Sequence, residues 1–309
     1  MSTVIPASPN LTQEQRKQAI IQNTKTVTAV TVRKYFTVWM ENFRANLPQI
    51  WQDADISELP KVDRKKSAVV IGGGPSLKKF NHLEVLARSG YKGTVFCCDK
   101  EFKSALAKGV NVDYVVNLDS SPITVPFIDH VYAPNTGLIL TSMAHPDIRR
   151  AWQGKAYWFV DDLSTCDHEF SIAQGLAIVA RKSWASSGAN VGSACINMAW
   201  FSEHAPICLI GMDMGCDVIE PLESTPYWEG HVRDFGGVEN ARKAYMKGHN
   251  PFFGNDFWID WIFEIYRNET LNRIRHFKMN VVNCSGQGSL FGENIKSMNF
   301  AMFLKQFRT

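Results

Sequence analysis

The chain has 309 residues, of which 45% are hydrophobic and 20% charged, and this is enough to bury one large core. The formal net charge of +3 at pH 7 gives no general electrostatic reason to expect a nucleic acid or a membrane surface as partner. The seven cysteines show no CxxC pair and no zinc-ligand spacing, and the chain has neither a leader pattern nor an apolar run of roughly 18 residues. We therefore predict a cytoplasmic protein with reduced thiols and no membrane span.

A helical arm is predicted ahead of the main domain. Residues 1–10 are rich in Pro and Ser and are expected to be disordered, and residues 11–66 are expected to form a helical arm followed by a polar linker. Thr12, with Gln15 three positions later, has the form of a capping box at the start of the arm. The apolar side chains that recur at helical spacing, and should pack the arm on the core, are Tyr35, Trp39, Phe43 and Leu47.

Short apolar runs alternate with longer helix-like segments from residue 67 onward. The runs are 68–72, 93–98, 112–118, 136–142, 155–160 and 205–211. Runs that are apolar on both faces are typical of parallel strands covered by helices on each side. We therefore predict an α/β fold for residues 67–309: a Rossmann-like, mostly parallel sheet with helices on both faces and a C-terminal helix at 257–277.

The stretch IGGGPSL follows the first of these runs and occupies the first strand-to-helix turn. Glycines there let backbone N–H groups approach a ligand closely, and the start of the next helix favours an anion, so we predict a phosphate site. Its residues are Gly72, Gly73, Gly74, Pro75 and Ser76. Leu77 stands where GxGxxG has its last glycine, and the Walker pattern is absent, which argues against an ordinary NAD or Walker-type site. The alternative is a tight turn whose glycines only let strand and helix pack.

Acidic residues stand at the ends of three other runs, where they share an edge of the sheet with the glycine turn. Asp99 lies about where a Rossmann chain carries its ribose-binding acid. Asp119 and Asp213 are hard oxygen ligands that could hold Mg²⁺ against the phosphates of a nucleotide. Each of the three also belongs to a residue type that caps helices and forms turns.

Two further segments have candidate roles. Ser187, Gly188 and Asn190 precede a helix of small residues and are predicted as a second anion or ribose contact, the alternative being a helix cap. Residues 227–255 are predicted as a lid over the site, the alternative being a solvated loop with a surface helix. The basic residues of this lid are His231, Arg233, Arg242, Lys243, Lys247 and His249.

The order of several motifs along the chain resembles that of the MptE-like family. These motifs are ENFRANLPQI, AVVIGGGPSL, GVNVDYVVNLD, GSACINMAWF, ICLIGMDMG and VVNCSGQGSLFG. The family includes archaeal 6-hydroxymethylpterin diphosphokinases and the glycosyltransferase-like, motility-associated Maf proteins. The resemblance implies that the glycine turn binds nucleotide phosphates and that the acids at the strand ends serve the nucleotide or a metal. The helical arm and the late VVNCSGQGSLFG look closer to the Maf branch.

Three functions remain open on this resemblance. The first is a diphosphokinase that moves a diphosphate from ATP to a hydroxymethyl group with Mg²⁺, Asp119 and Asp213 being catalytic. The second is a Maf-like glycosyltransferase that uses a CMP-activated nonulosonic acid, with His145 as candidate general base, although His145 before Pro146 is also a turn histidine. The third is a nucleotide-binding module without catalysis. The expected partners are a nucleotide and a small-molecule or glycan acceptor, and the sequence does not define an oligomeric state.

Overall fold

A large parallel sheet runs through the computed structural model, which describes residues 13–162, 172–188 and 190–308. Two predictions lie outside these residues, namely the disordered start at 1–10 and the capping role of Thr12. Within the three described ranges, no helix is long and apolar enough to cross a lipid bilayer.

The predicted alternation of strands and helices is confirmed. The strands are β1 (Ala54–Asp55), β2 (Ala68–Ile71), β3 (Thr94–Cys98), β4 (Tyr114–Asn117), β5 (Gly137–Thr141), β6 (Ala156–Asp161), β7 (Trp184–Ala185), β8 (Ile207–Ile210), β9 (Cys216–Asp217), β10 (Tyr245–Asn250), β11 (Asn255–Asp260), β12 (Val281–Asn283) and β13 (Ile295–Ser297). The α-helices are α1 (Gln13–Gln52), α2 (Ser76–Lys79), α3 (His82–Arg88), α4 (Asp99–Ala107), α5 (Pro146–Ala151), α6 (Ile172–Ala180), α7 (Val191–Phe201), α8 (Trp228–Asp234), α9 (Val238–Arg242), α10 (Trp261–His276) and α11 (Phe300–Gln306). The 3-10 helices are Ile56–Glu58, Pro122–Phe127 and Leu222–Ser224.

The large sheet has ten strands in the order β1-β6-β5-β4-β3-β2-β8-β12-β13, with β7 beside β6, and its strand pairs are parallel. In its centre, Val69 of β2 lies opposite Val95 of β3 on one side and Cys208 of β8 on the other. The chain extends the sheet from β2 outward through β3 and later returns to the other side of β2 with β8. This reversal opens a crevice at the carboxyl ends of β2 and β8, which is where ligands bind in such sheets.

Alternate residues of each strand contribute to two cores, one on each face of the sheet. Val69 and Ile71 of β2 belong to the core that α1, α3, α4, α5, α6 and α11 cover. Val70 of the same strand belongs to the core beneath α7 and α10. Because side chains alternate along a strand and both faces are covered, the central strands β2 and β8 are apolar throughout. This is the physical reason for the uninterrupted apolar runs in the sequence.

The N-terminal arm is one helix, α1, and its C-terminal half packs on the first core. Ile50 is fully buried, Phe43 nearly so, and Leu47 is partly buried beside them. Trp39 reaches the edge of this contact and donates a hydrogen bond from Nε1 to Ser120 Oγ at 3.2 Å. The prediction that Tyr35 also faces the core was wrong, because this side chain is 38% exposed. Helical spacing marks a face of the helix but not the point at which the core ends.

The stretch expected to be a polar linker is part of the fold. Ala54 and Asp55 of β1 pair with β6, and the turn that follows buries Ile56 and Leu59 in the second core. Asp55 caps this turn through its side chain. The arm is therefore anchored on the sheet at its C-terminal end.

The predicted lid at 227–255 folds as a small unit rather than a solvated loop. It contains α8, α9 and β10, and β10 joins β11 and β9 in a three-stranded antiparallel sheet. Trp228 and Tyr245 belong to a separate small core in this unit. The helix predicted for 257–277 begins only at Trp261, because residues 257–260 pair with β10.

Candidate functional site

A cavity of about 760 Å³ lies at the carboxyl ends of β2 and β8, where the strand order reverses. The turns after β2, β3, β4 and β8 line it, together with the starts of α7 and α10. The predicted site residues that it brings together are Gly73, Gly74, Pro75, Asp99, Asp119, Asn190 and Asp213. We call it the acidic cavity because the carboxylates among its lining residues are Asp99, Asp119, Asp213 and Glu220.

The three glycines of the predicted phosphate turn have different surroundings. The Gly72 N–H donates to Ile210 O at 2.9 Å and the Gly74 N–H to Gly211 O at 2.7 Å, so these two residues join the ends of β2 and β8. A Cβ on Gly74 would lie 2.0 Å from Asp213 Oδ2, whereas a Cβ on Gly73 would meet nothing closer than 3.8 Å. Gly73 is thus the exposed glycine of the turn, and Gly74 is required for packing.

Asp213 fills the position at the start of α2 that the sequence assigned to a ligand anion. Its Oδ2 accepts a hydrogen bond from Ser76 Oγ at 2.6 Å, and the Ser76 N–H also donates to this carboxylate. Its Oδ1 accepts one from Gln287 Nε2 at 2.7 Å. Burial raises the pKa of Asp213 to about 6, against the lowering effect of these hydrogen bonds. The carboxylate therefore connects the glycine turn to the late loop that contains Gln287.

Asp99 lies at the start of α4, inside the cavity wall. Burial raises the pKa of its carboxyl to about 6, and the neighbouring charge of Asp119 adds to that effect. Oδ2 accepts a hydrogen bond from Asn117 Nδ2 at 2.6 Å, and Oδ1 accepts one from the Lys100 N–H at 2.7 Å. Asn117, which fixes this orientation, was not predicted as a site residue.

Asp119 is the exposed carboxylate of the same edge. Its Oδ1 accepts a hydrogen bond from the Ser121 N–H at 2.8 Å, and its backbone oxygen accepts one from the His145 N–H at 3.0 Å. His145 itself caps α5, with Nδ1 accepting from the Asp147 N–H at 3.3 Å, and is not among the residues that line the cavity. The structure thus places His145 beside Asp119 through the backbone, with its ring turned to its own helix.

The helix start at α7 supplies the second predicted contact. Asn190 caps this helix by accepting the Ser193 N–H at 2.9 Å, and Val191 and Gly192 of its first turn line the cavity. First-turn N–H groups have no partner within a helix, so they are available to an anion. Ser187 and Gly188, predicted with Asn190, are buried outside the cavity lining.

Aromatic residues that the sequence analysis missed form the far wall of the acidic cavity. Tyr227, from the predicted lid, and Phe263 of α10 have ring centroids 5.3 Å apart. Tyr266 follows on the next turn of α10, and the phenol groups of Tyr227 and Tyr266 influence each other's pKa. Burial raises the pKa of both phenols, which stay neutral. The residue pattern predicts a helix here, but only the structure shows that Phe263 and Tyr266 line the same cavity as the glycine turn.

The basic residues of the predicted lid do not gather over the cavity. His231 is 2% exposed, and its Nε2 lies 3.3 Å from Asp260 Oδ2. Lys247 and His249 both pair with Asp256 on the neighbouring strand, at 2.9 and 2.8 Å. The prediction of a positively charged cover was wrong for these residues because each of them lies against a carboxylate of β11.

The donor set of the cavity fits a metal only in part. In the described ranges, no group of three His, Cys, Asp or Glu side chains could hold a metal ion. Mg²⁺ that arrives with a nucleotide needs only one or two carboxylates, because phosphates and waters complete its shell. Asp119 fits this role, since it is exposed at the cavity edge. Asp213 would first have to release Ser76 or Gln287.

Comparisons with known proteins found a family model, a curated protein and a solved structure that are similar to this chain. A family model described as 6-hydroxymethylpterin diphosphokinase MptE-like matches residues 41–218. A protein of Treponema pallidum (strain Nichols), named only as uncharacterized, is 29% identical over 101 residues, which are 32% of this chain and 45% of that protein. The solved structure of MAf glycosyltransferase from Magnetospirillum magneticum AMB-1 matches with a TM-score of 0.61 at 16% identity, over 85% of this chain and 38% of that one. This likeness shows the fold alone, and the chain spans less than half of either relative.

Proposed function

The chain belongs to the MptE-like family, and on this premise we propose that it is a diphosphokinase that transfers a diphosphate from ATP to a hydroxymethyl group. Family membership supports a transferase, and the acidic cavity supports the choice of a nucleotide with Mg²⁺. In this reaction the hydroxymethyl oxygen attacks the β-phosphorus, and the bond from that phosphorus to the oxygen of the α-phosphate breaks. The hydroxyl proton passes to a base, and AMP leaves.

The charge of the cavity carries this proposal. Among the described residues that line it, four have carboxylates, namely Asp99, Asp119, Asp213 and Glu220, and one, Lys100, has a cationic side chain. A bare polyphosphate would be repelled by such a surface, so it needs a divalent cation for neutralisation. In the proposal, Mg²⁺ supplies that neutralisation when bound, and Asp119 is its carboxylate ligand. Ligation by Asp213 stays a prediction from the sequence, and in this proposal Asp213 positions the glycine turn.

In this proposal the other parts of the cavity each contact a different group of the nucleotide. Gly73 and the first turn of α7 offer backbone N–H groups to the phosphates. Asp99 is proposed as the ribose contact, and the aromatic wall formed by Tyr227 and Phe263 accepts a flat ring by stacking. Catalysis would rest on positioning and charge neutralisation, which is sufficient for phosphoryl transfer.

Glycosyl transfer is a second candidate, favoured by the extent of the structural likeness. The match to the MAf glycosyltransferase covers 85% of the chain, whereas the family model covers residues 41–218. The residues beyond the family match include Gln287, which holds Asp213, and the aromatic residues of α10. In this candidate a CMP-activated nonulosonic acid occupies the acidic cavity, and the acceptor is a protein or glycan hydroxyl. A binding module without catalysis is the third possibility and predicts binding without turnover.

Nucleotide titrations followed by thermal unfolding separate these functions. We would titrate ATP, CTP and CMP with and without Mg²⁺ into the parent, Gly73→Val and Asp119→Asn, with Asp234→Asn, an exposed carboxylate of α8, as matched control. A ligand at a hundred times its Kd adds about 2.7 kcal/mol to the stability. We expect ATP to stabilise the parent and the control only with Mg²⁺, and both site variants to lose this effect.

The outcomes decide between the candidates. A preference for CMP that does not depend on Mg²⁺ would favour the glycosyltransferase. Release of AMP that depends on an added hydroxymethyl compound would establish the diphosphokinase, whereas binding without turnover would leave the third candidate. If no nucleotide stabilises the parent, the nucleotide site itself is wrong.

A further inference from the structure

A second cavity, of about 670 Å³, lies between the C-terminal half of α7, the end of α10 and β7. It shares no lining residue with the acidic cavity. The part of its wall formed by residues 272–279 lies beyond the family match, which ends at residue 218. The chemistry of this cavity is inferred from its own residues.

Aromatic rings form two of its walls. Trp184 of β7 is 51% exposed and Phe277, directly after α10, is 39% exposed. Phe277 also packs on Trp200 of α7, with ring centroids 4.7 Å apart. Met198 and Met279 are buried and close the cavity from below. Two large rings that remain exposed around an apolar floor form a surface on which a flat ring can stack.

The third wall is cationic and lies on the last turn of α10, with Arg273, Arg275 and His276. Arg273 donates from Nη2 to Ser186 Oγ, and Arg275 donates from Nη2 to Asn272 Oδ1 at 2.8 Å, so both acceptors are neutral. In the part of the chain that the structure describes, neither guanidinium forms an ion pair.

Few acidic groups lie around this wall among the residues that the structure describes. Asp162 is the carboxylate among the lining residues. Asp161 precedes it and is partly buried, and burial raises its pKa to about 6 although hydrogen bonds from Ser187 and the charge of Arg273 lower it. The guanidinium groups of Arg273 and Arg275 thus outnumber the carboxylate that shares the cavity with them.

We propose that this second cavity binds a small organic anion that contains a flat ring. The ring stacks between Trp184 and Phe277, and its carboxylate or phosphate group pairs with the guanidinium groups of Arg273 and Arg275. A guanidinium presents parallel N–H donors that match carboxylate and phosphate oxygens, and one whose hydrogen-bond acceptor is a single neutral oxygen has donors to spare. The same anion would be repelled from the acidic cavity in the absence of a divalent cation.

Three probes test the aromatic and the cationic part of this site separately. They are added to the 309-residue chain without Mg²⁺. They are 1-naphthyl phosphate, which has ring and anion, 1-naphthol, which has only the ring, and inorganic phosphate, which has only the anion. Binding is measured by isothermal titration calorimetry to the parent, Trp184→Ala and Arg275→Gln. Arg88→Gln, an exposed arginine of α3, is the matched charge control, and Gly73→Val reports on the acidic cavity.

We expect 1-naphthyl phosphate to bind the parent, Arg88→Gln and Gly73→Val equally, and at least tenfold more tightly than either half-probe. Trp184→Ala and Arg275→Gln should each weaken it about tenfold, as loss of one stacking surface or one charged hydrogen bond implies. Equal binding of 1-naphthol, unchanged affinity in both cavity variants, loss of binding in Gly73→Val, or no binding at all would each overturn the proposal. Circular dichroism confirms that the variants are folded.

Discussion

Replacement of Asp213 by Asn should flatten the pH dependence of stability. Burial raises the pKa of this carboxyl from 3.8 to about 6, so the folded state takes up a proton more readily than the unfolded state. Its contribution to the free energy of unfolding is therefore greatest below pH 4, falls as the pH rises and is level above about pH 7. Asparagine does not titrate, and this component disappears in the variant.

The magnitude follows from the size of the shift. A difference of about 2.2 pKa units corresponds to about 3 kcal/mol, of which about 2 kcal/mol falls between pH 4.5 and 7.5. Asp99 and Asp161, whose pKa values are also raised to about 6 by burial, remain in the variant and give the same background in both proteins. The difference between parent and variant thus isolates Asp213.

Urea unfolding at pH 4.5, 5.5, 6.5 and 7.5 measures this difference for the parent, Asp213→Asn and the exposed control Asp234→Asn. We expect the stability of the parent and the control to fall by about 2 kcal/mol more than that of Asp213→Asn over this range. Ser76→Ala provides an independent check, because it removes a hydrogen bond that lowers the pKa of Asp213 and should move the fall to higher pH. Identical slopes in the parent and Asp213→Asn would refute the buried, hydrogen-bonded position of this carboxylate.

Three further expectations concern packing around the site. Gly74→Ala should lose about 1–3 kcal/mol of stability, because its Cβ would lie 2.0 Å from Asp213 Oδ2, while Gly73→Ala should change little; equal urea midpoints would contradict this. Asn42→Leu should cost about 1–3 kcal/mol in the same assay, because Asn42 Nδ2 donates to two buried carbonyl oxygens in the turns after β4 and β5, and parental stability would argue against that role. A chain that begins at Lys66 should melt at a lower temperature than the parent, since it lacks the buried apolar side chains of α1; an unchanged melting temperature would show that the arm is not part of the core.

The edge of the sheet that forms the site could be predicted from the sequence because it depends on local rules. Apolar runs identify β2, β3, β4 and β8, and in a parallel sheet the residues after each run meet at the carboxyl edge. This rule predicts that Gly73, Asp99, Asp119 and Asp213 lie close together. The structure has all four in one cavity. Asn190, predicted as a contact at the start of a helix, lines the same cavity.

The parts that could not be predicted depend on contacts between distant residues. Gln287 is 74 positions from Asp213 along the chain, and no pattern of spacing links an amide in a late loop to a strand-end carboxylate. The aromatic wall likewise needs Tyr227 and Phe263 to be brought together by the pairing of β9 with β11. The basic residues of the predicted lid look free to bind an anion when only the sequence is considered. In the structure, strand pairing places His249 opposite Asp256, and the two side chains form an ion pair.

The position of Asp213 also decides which backbone groups can hold a phosphate. The N–H and hydroxyl groups of Ser76 both interact with this carboxylate. Asp213 therefore already occupies the anion position at the start of α2. A ligand phosphate is left with Gly73 and with the first turn of α7, a helix of 11 residues against the 4 of α2. The longer helix has the fuller dipole, and Val191 and Gly192 of its first turn, where N–H groups have no partner within the helix, line the cavity. If the proposed function is correct, we therefore expect the phosphates to lie against the start of α7, with Gly73 as the contact from the glycine turn.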